Sequence, residues 1–506
     1  MTGRHVWGSG ARRGQTIRRT LTGIAIATSV AMTGVTGIVL TPGVAHADVA
    51  PGVGPGSLDS SFGSSGKATY VLNGATLTAD SNPVVVPGGS NAGKIVFVGH
   101  VASANPQTVY VVRLNADGSP DTTFGGASTP GAAATDFGLP SSFGAGPPTF
   151  MHGAVAVQPD GNIVVTGAKV TDSSGDTAIQ VERLLGTTGA LDATFGTAGA
   201  RTVQLNTNST NDHGDGVALL PSGKILISAW DGAGNTAASH ARFAVIQLTS
   251  AGALDTASFG AGKGFAETSF SNQADDTSQA VAVQPDGHIV LAGFAKVDVG
   301  ANTDGIGVVR YNSNGTLDPT FNGTGKVSTN ISGGSGATGV VVDVKGEVSV
   351  AGFGSGQAMV ARYTPGGALD SAFGSDPIVN MPGVQTFNFT GGSAVANGIV
   401  QDAQGRLLVT GVDNGSGNND IGVARFNTNG DPANSNFPFD GLFGSEGGRE
   451  SFNCPNTSLF QTLWGTGIAV PSDGRVLLLG QCAGPNSYNG NADQGVVVLR
   501  LNIDPL

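Results

Sequence analysis

Histidine, aspartate and tryptophan are the residues of this chain whose chemistry could hold a ligand or move a proton, and they are unevenly placed. His152 and His213 each stand just before an apolar run, His100 directly follows one, and His240 lies between two such runs. Asp212 and Asp215 flank His213, and Trp230 and Trp464 occupy the same two kinds of position as the histidines. Two imidazoles with neighbouring carboxylates could ligate a divalent metal or act as an acid/base pair. Two histidines name no reaction, however, and familiar catalytic spacings are absent: there is no G-x-S-x-G, no H-E-x-x-H, no P-loop and no S-x-D-x-G-x-T-W box. The stretches 211–216 and 418–420 are rich in Asp and Asn but lack the D-x-[DN]-x-[DN]-G calcium spacing. No cofactor is therefore expected, with Ca2+ or another divalent ion left as the alternative.

What must position these residues is a repeat. The form L-D-x-x-F-G occurs at 58–63, 191–196 and 369–374, with variants at 120–125, 254–260, 317–322 and 439–444. A second element, an apolar run, a turn and another apolar run ending in Gly, reads VAVQPDGNIVVTG at 155–167 and VAVQPDGHIVLAG at 281–293. Its seven turn glycines, from Gly93 to Gly474, are 59 to 69 residues apart. A third element ends in VVRLN at 111–115, VVRYN at 308–312 and VLRLN at 498–502, and also recurs seven times. The second element is a β-hairpin whose turn needs Gly for positive φ, the third is another strand, and the short stretch after each L-D-x-x-F-G is a fourth. Four strands per unit of about 60 residues is the spacing of a β-propeller blade. The expected fold is all-β: one seven-bladed β-propeller over residues 58–506, with 48–57 as a linker. The first short strand, about 66–72, precedes any hairpin, and the chain stops after a third strand at 496–502. The N-terminal strand is therefore expected to close the ring as the outer strand of the last blade.

These three motifs in fixed order resemble the delta-60 repeat family of exported bacterial proteins, over nearly all of residues 58–506. The resemblance implies a propeller-like repeat architecture and brings no activity with it. Chemistry needed once is not written seven times, so the repeated Phe62, Phe124, Phe195, Phe259, Phe321, Phe373 and Phe443 read as wedges between blades. The repeated Arg113, Arg183, Arg310, Arg362, Arg425 and Arg500, with Asp121, Asp192, Asp318 and Asp370, read as structural ion pairs and turn caps rather than as acid/base machinery.

Propeller connections alternate between two faces. The P-D-G turns open on one, with His288 among them; His100, His152, His213, His240, Trp230, Trp464, Asp212 and Asp215 fall on the other, whose loops are irregular. Irregular loops are free to diversify for recognition, so that face is the expected ligand-binding surface and the turn face is expected to serve the fold. The competing reading is that longer loops simply collect more rare residues.

The leader places the protein outside the cell. Five arginines in the first 19 residues, an apolar run from Leu21 to Leu40 and Ala45-His46-Ala47 have the form of a signal peptide over residues 1–47, with an uncleaved anchor as the alternative. Arg18-Arg19 leaves the export route, general or twin-arginine, open. The full chain carries a formal charge of −12, and without the leader 19 basic residues face 36 acidic ones, a charge of −17. Nucleic acid is excluded on that balance, because phosphate binding rests on clustered Lys and Arg. Cys454 and Cys482 form an even pair in an exported chain, which reads as a disulfide, with two free thiols as the alternative and no metal site. The function that follows is a secreted or cell-surface binding or scaffold propeller, expected to be monomeric, without a membrane span once the leader is removed. Its partner would be an extracellular protein or polysaccharide. The alternative is an extracellular propeller hydrolase or lyase with an axial site.

Overall fold

The apolar runs of the repeats carry buried residues on both sides of the strand, because each sheet is covered on both faces by its neighbours. In the strand Ile95–Val101, Ile95 and Phe97 pack with Leu477 and Leu479, whereas Val96 and Val98 pack with Val155 and Ile163. The period-2 alternation of a strand thus points to two different interfaces instead of to core and solvent. Seven apolar clusters of this kind fill the gaps between adjacent blades and hold the ring together.

The computed structural model describes residues 54–502 apart from 73–76, 102–106, 140–152, 172–175, 206–210, 233–239, 272–274, 299–302, 377, 391, 415–419, 428–438, 446, 453–463 and 483–494. They form seven blades of antiparallel strands in a β-propeller. The second blade is representative: Ala154–Val157 innermost, then Ile163–Val170, Thr177–Leu184 and Ala200–Val203 outermost. The first blade differs in its inner strand, which is broken into Leu77–Ala79 and Val84–Val85. Helical structure among the described residues is limited to three single 3-10 turns, and no helix there is long and apolar enough to cross a membrane.

The ring closes through the chain ends, as the order of motifs implies. Lys67–Tyr70 is the outer strand of the seventh blade, with Lys67 opposite Leu499 and Tyr70 opposite Val496. Closure extends further than the strand. In the first blade the chain turns out of its third strand through Asn115 and Gly118, where Gly118 N–H donates to Asn115 O at 2.9 Å and Asn115 N–H to Ser119 O at 2.8 Å. In the seventh blade the same turn is made by two separate pieces: Gly56 N–H donates to Asn502 O and Asn502 N–H to Ser57 O, both at 2.8 Å. Residues 54–57, expected from the motifs to be the end of a linker, thus belong to the ring, because their backbone completes the turn of the last blade.

At the turn face each unit ends in a clasp. Arg113 Nε donates to Asp121 Oδ2 at 2.6 Å, and its guanidinium lies 4.3 Å from the centre of the Phe124 ring. Asp121 Oδ1 accepts from Thr123 N–H at 3.1 Å, capping the turn, so one carboxylate serves both purposes. Equivalent pairs form at Arg183–Asp192, Arg310–Asp318, Arg362–Asp370, Arg425–Asp440 and, across the chain ends, Arg500–Asp59. The fully buried Phe of each clasp reaches under the next unit. A Cβ on Gly118 would lie 2.9 Å from Phe62, and one on Gly252 2.8 Å from Phe195, and both glycines have positive φ, so no other residue fits there without strain. The third blade has Gln247 in place of Arg; Gln247 and Lys224 together hold Asp255 at 2.6 and 2.7 Å.

Candidate functional site

Strand direction sorts the molecule. Second strands run from the hairpin turns toward the irregular loops, so their last residues stand at the loop face. His100 and Trp230 each follow the residue that ends the G-like position of that strand, Gly99 and Ala229, and so occupy the same place in the first and third blades. His213 lies opposite Trp230 and Trp464 opposite Gln481, the equivalent register in the third and seventh blades. Four of the residues singled out by type therefore share one level near the loop face.

The third blade carries the densest group. His213 opens the inner strand His213–Leu219, and its ring stacks on the Trp230 indole with centroids 4.5 Å apart and planes within 4°. A β-bulge between Gly214 and Gly216 turns Asp215 out of the regular pairing. The flanking glycines are required by close approach: a Cβ on Gly214 would lie 2.5 Å from Thr166 Oγ1, and one on Gly216 2.4 Å from Ser228 Oγ. Asp215 is buried, accepts a hydrogen bond from the Trp230 indole, and has no partner for Oδ2 among the described residues. Burial raises its carboxyl well above the ordinary range, a shift the indole hydrogen bond opposes only in part. Burial also pushes the neighbouring His213 down to about 4, so its imidazole is neutral at physiological pH. Trp230 itself is half-buried.

The other candidates have different employment. Both carboxylate oxygens of Asp212 accept backbone N–H groups, from Leu205 at 2.9 Å and Gly232 at 3.3 Å. Asp276 does the same one blade on, with Phe270 and Lys296 N–H at 2.7 and 3.0 Å. An Asp just before the inner strand thus ties the exit of the preceding outer strand to the exit of its own second strand, a structural task. His100 is buried with Nδ1 2.8 Å from Asp80 Oδ2. Burial disfavours its proton, but the charge and hydrogen bond of Asp80 outweigh this and hold its pKa above the ordinary value. The half-buried His240, in the third blade, has Nδ1 3.7 Å from Oδ1 of the exposed Asp275, which precedes the inner strand of the fourth blade. His288, on the turn face, joins a clasp with Nε2 3.4 Å from Asp318 Oδ2, where Lys94 and Lys224 stand in other units. His152 and Cys454 lie outside the described residues, and of Trp464 and Cys482 only the backbone is described. Among the described residues no three His, Cys, Asp or Glu side chains gather as a metal site.

A second feature lies on the opposite side. The turn-side half of the central channel is a cavity of about 980 Å³, walled by inner strands of the first and the fourth to seventh blades and bordered by Arg475 and Arg500.

Residues 93–124, 284–321 and 404–433 match the model of a family described as a domain of unknown function (DUF5122) beta-propeller. The first two stretches run from a hairpin turn to a clasp Phe, the span that the repeated motifs mark out. The chain is a β-propeller repeat protein. Among curated proteins nothing matches it. Similar solved structures include the polysaccharide lyase Uly1, at 11% identity over 87% of this chain and 99% of that one with a TM-score of 0.44. An alpha-L-arabinofuranosidase from Fusarium graminearum is 9% identical over 86% of this chain and 97% of that one, with a TM-score of 0.40. A protein of unknown function from Dyadobacter fermentans is 12% identical over 69% and 94%, with a TM-score of 0.39.

Motif reading of this propeller repeat missed two things. Asp80, the partner of His100, lies in the broken inner strand of the first blade and belongs to no recurring motif; only its place two residues before Asn82-Pro83 marks it as irregular. The channel cavity was also missed, although the consecutive apolar residues Ala282-Val283, Val341-Val342 and Ala469-Val470 signal it. On an inner strand two neighbours in sequence pack toward opposite flanking blades, as Val341 and Val342 do against different inter-blade clusters, and with no further strand inside them both border the channel.

Proposed function

We propose that this is a secreted or cell-surface binding propeller without catalytic chemistry, whose recognition surface is the loop-side rim of the third blade. The observation that carries the reading is the Trp230 platform, a half-buried indole stacked on His213 and bonded to Asp215; loops at the same end of the third blade carry the half-buried His240 and the exposed Asp275. An indole held in one orientation offers a flat apolar face at low entropic cost, and the nearby imidazole and carboxylate supply hydrogen bonds. That combination suits the apolar ring faces and hydroxyls of an extracellular polysaccharide, or a polar protein surface. The leader over residues 1–47 supports an extracellular location, and no cofactor is required. The test is a screen of the mature protein against polysaccharides and cell-wall fractions, repeated with Trp230→Ala and His240→Ala. Loss of binding in a folded Trp230→Ala variant supports the reading; unchanged binding in both variants moves the surface elsewhere.

One observation favours a second reading, an extracellular hydrolase or lyase. Asp215 and His213 both contact Trp230, and burial pushes the carboxyl up and the imidazole down, which favours the neutral form of each. Release of new sugar ends from a bound polymer, abolished by Asp215→Asn, would replace the binding reading with this one.

A further inference from the structure

The central channel is pinched near the loop side and opens toward the turns. At the pinch the inner strands approach so closely that a Cβ on Gly398 would lie 3.3 Å from Ile468 N, and one on Gly467 2.5 Å from the Cα of Asn82. Beyond it the residues enlarge to Val85, Ala282, Val342, Val400 and Val470, all half-buried with side chains on the cavity wall. A volume of about 980 Å³ lies at the upper end of sites that enclose a small organic molecule. Sites of that size that hold small organic molecules are lined mainly by apolar side chains with a few polar groups, and the wall residues here are aliphatic with the charged groups at the border.

The border tells what kind of molecule fits. Arg475 and Arg500 approach Asp59 at 3.0 and 2.8 Å, and Arg475 also meets Asp473 at 3.2 Å. Two cations face two carboxylates, so a charged ligand would have to break an existing pair to gain one. The wall is held by hydrogen-bonded sheets, so the shape is preformed and little ordering opposes binding. We propose that the turn-side channel cavity binds an uncharged, largely hydrocarbon small molecule. This site is separate from the loop-side surface and stands or falls without it.

The experiment is a titration of the mature protein with Nile red, a neutral apolar fluorophore, followed by emission. Saturable binding of one dye per chain is expected. Ala282→Trp, which fills the channel, and Val342→Lys, which places a charge in its wall, should each weaken it by at least about tenfold, a change set by one aliphatic contact surface. Trp230→Ala should leave it unchanged. Circular dichroism and melting confirm that each variant is folded. In the unaltered protein, photolysis with a neutral diazirine-bearing alkyl probe should label peptides containing Thr277–Val283 or Ser335–Val342. No saturable binding, binding indifferent to both channel variants, or adducts confined to loop-face peptides would each overturn the proposal.

Discussion

The clasps allow a test in which two substitutions at one ion pair have different outcomes. Arg113 and Asp121 are each only 1% exposed. Asp121→Ala leaves the guanidinium of Arg113 buried with its charge uncompensated, and Lys94 loses its partner at 2.7 Å as well. Breaking a buried pair by removing one member costs about 3–5 kcal/mol. Arg113→Gln is expected to cost much less, because the third blade already uses that solution: Gln247 and Lys224 hold Asp255 there, and Lys94 is in place to hold Asp121. What is lost is the contact with the Phe124 ring and the bond to Gly186 O in the next blade; what is gained is relief from burying a charge. The balance is about 1–2 kcal/mol. The assay is guanidinium unfolding followed by tryptophan fluorescence, with the slope checked against the parent.

Acidity supplies an internal control. Burial pushes the Asp121 carboxyl up, but hydrogen bonds from Lys94 and Thr123 and the charge of Arg113 outweigh it, and the group titrates well below its ordinary value. A carboxyl lowered on folding contributes stability that is fully present above its unfolded pKa of 3.8 and is lost as pH falls through the folded one. The difference between the two variants should therefore be constant from neutral pH to about 5 and shrink below about 4. Equal costs at neutral pH, or a cost for Asp121→Ala below about 1 kcal/mol, would refute the claim that Asp is the member on which the clasp depends.

His213 should lose stability as pH falls from about 6.5 to 4, and Asp215 should gain it as pH falls through its raised folded pKa, so the two oppose each other on acidification. Asp215→Asn should unmask a fall of up to about 1.4 kcal/mol per pH unit on acidification, and His213→Phe the reverse slope; chemical unfolding across that range would show parallel slopes if the assignment is wrong. A permutant joining Asn502 directly to Gly54, with new ends opened between residues 233 and 239, should fold and unfold more slowly than the parent, since the split turn becomes continuous like that of the first blade; failure to fold would mean the two pieces are not equivalent to Asn115–Ser119. Cys454 and Cys482 are expected to be bonded in the secreted protein, and non-reducing peptide mapping that found two alkylatable thiols would end that expectation. The bond would close a loop of about 30 residues and contribute roughly 3 kcal/mol.

Blade number, strand order and ring closure were legible in the motifs because each depends on local chemistry repeated seven times. A Gly that needs positive φ, a Phe that fills a gap under the next unit and an apolar run covered on both faces leave a trace at every copy. The seven-bladed reading, the strand exchange between 66–72 and 496–502 and the structural role of the Arg–Asp pairs all follow from such traces. Asp212 and Asp215 show where this stops. They are three residues apart and of one type, yet the first is bound by backbone N–H groups of Leu205 and Gly232 while the second has an indole and an oxygen with no partner among the described residues. Which carboxylate retains unmet hydrogen-bonding capacity is decided by groups brought from other strands, and no periodicity encodes it. The split turn of Asn502 and Gly56 and the channel cavity have the same origin. Each is made from chain segments hundreds of residues apart, whose proximity exists only once the ring has closed.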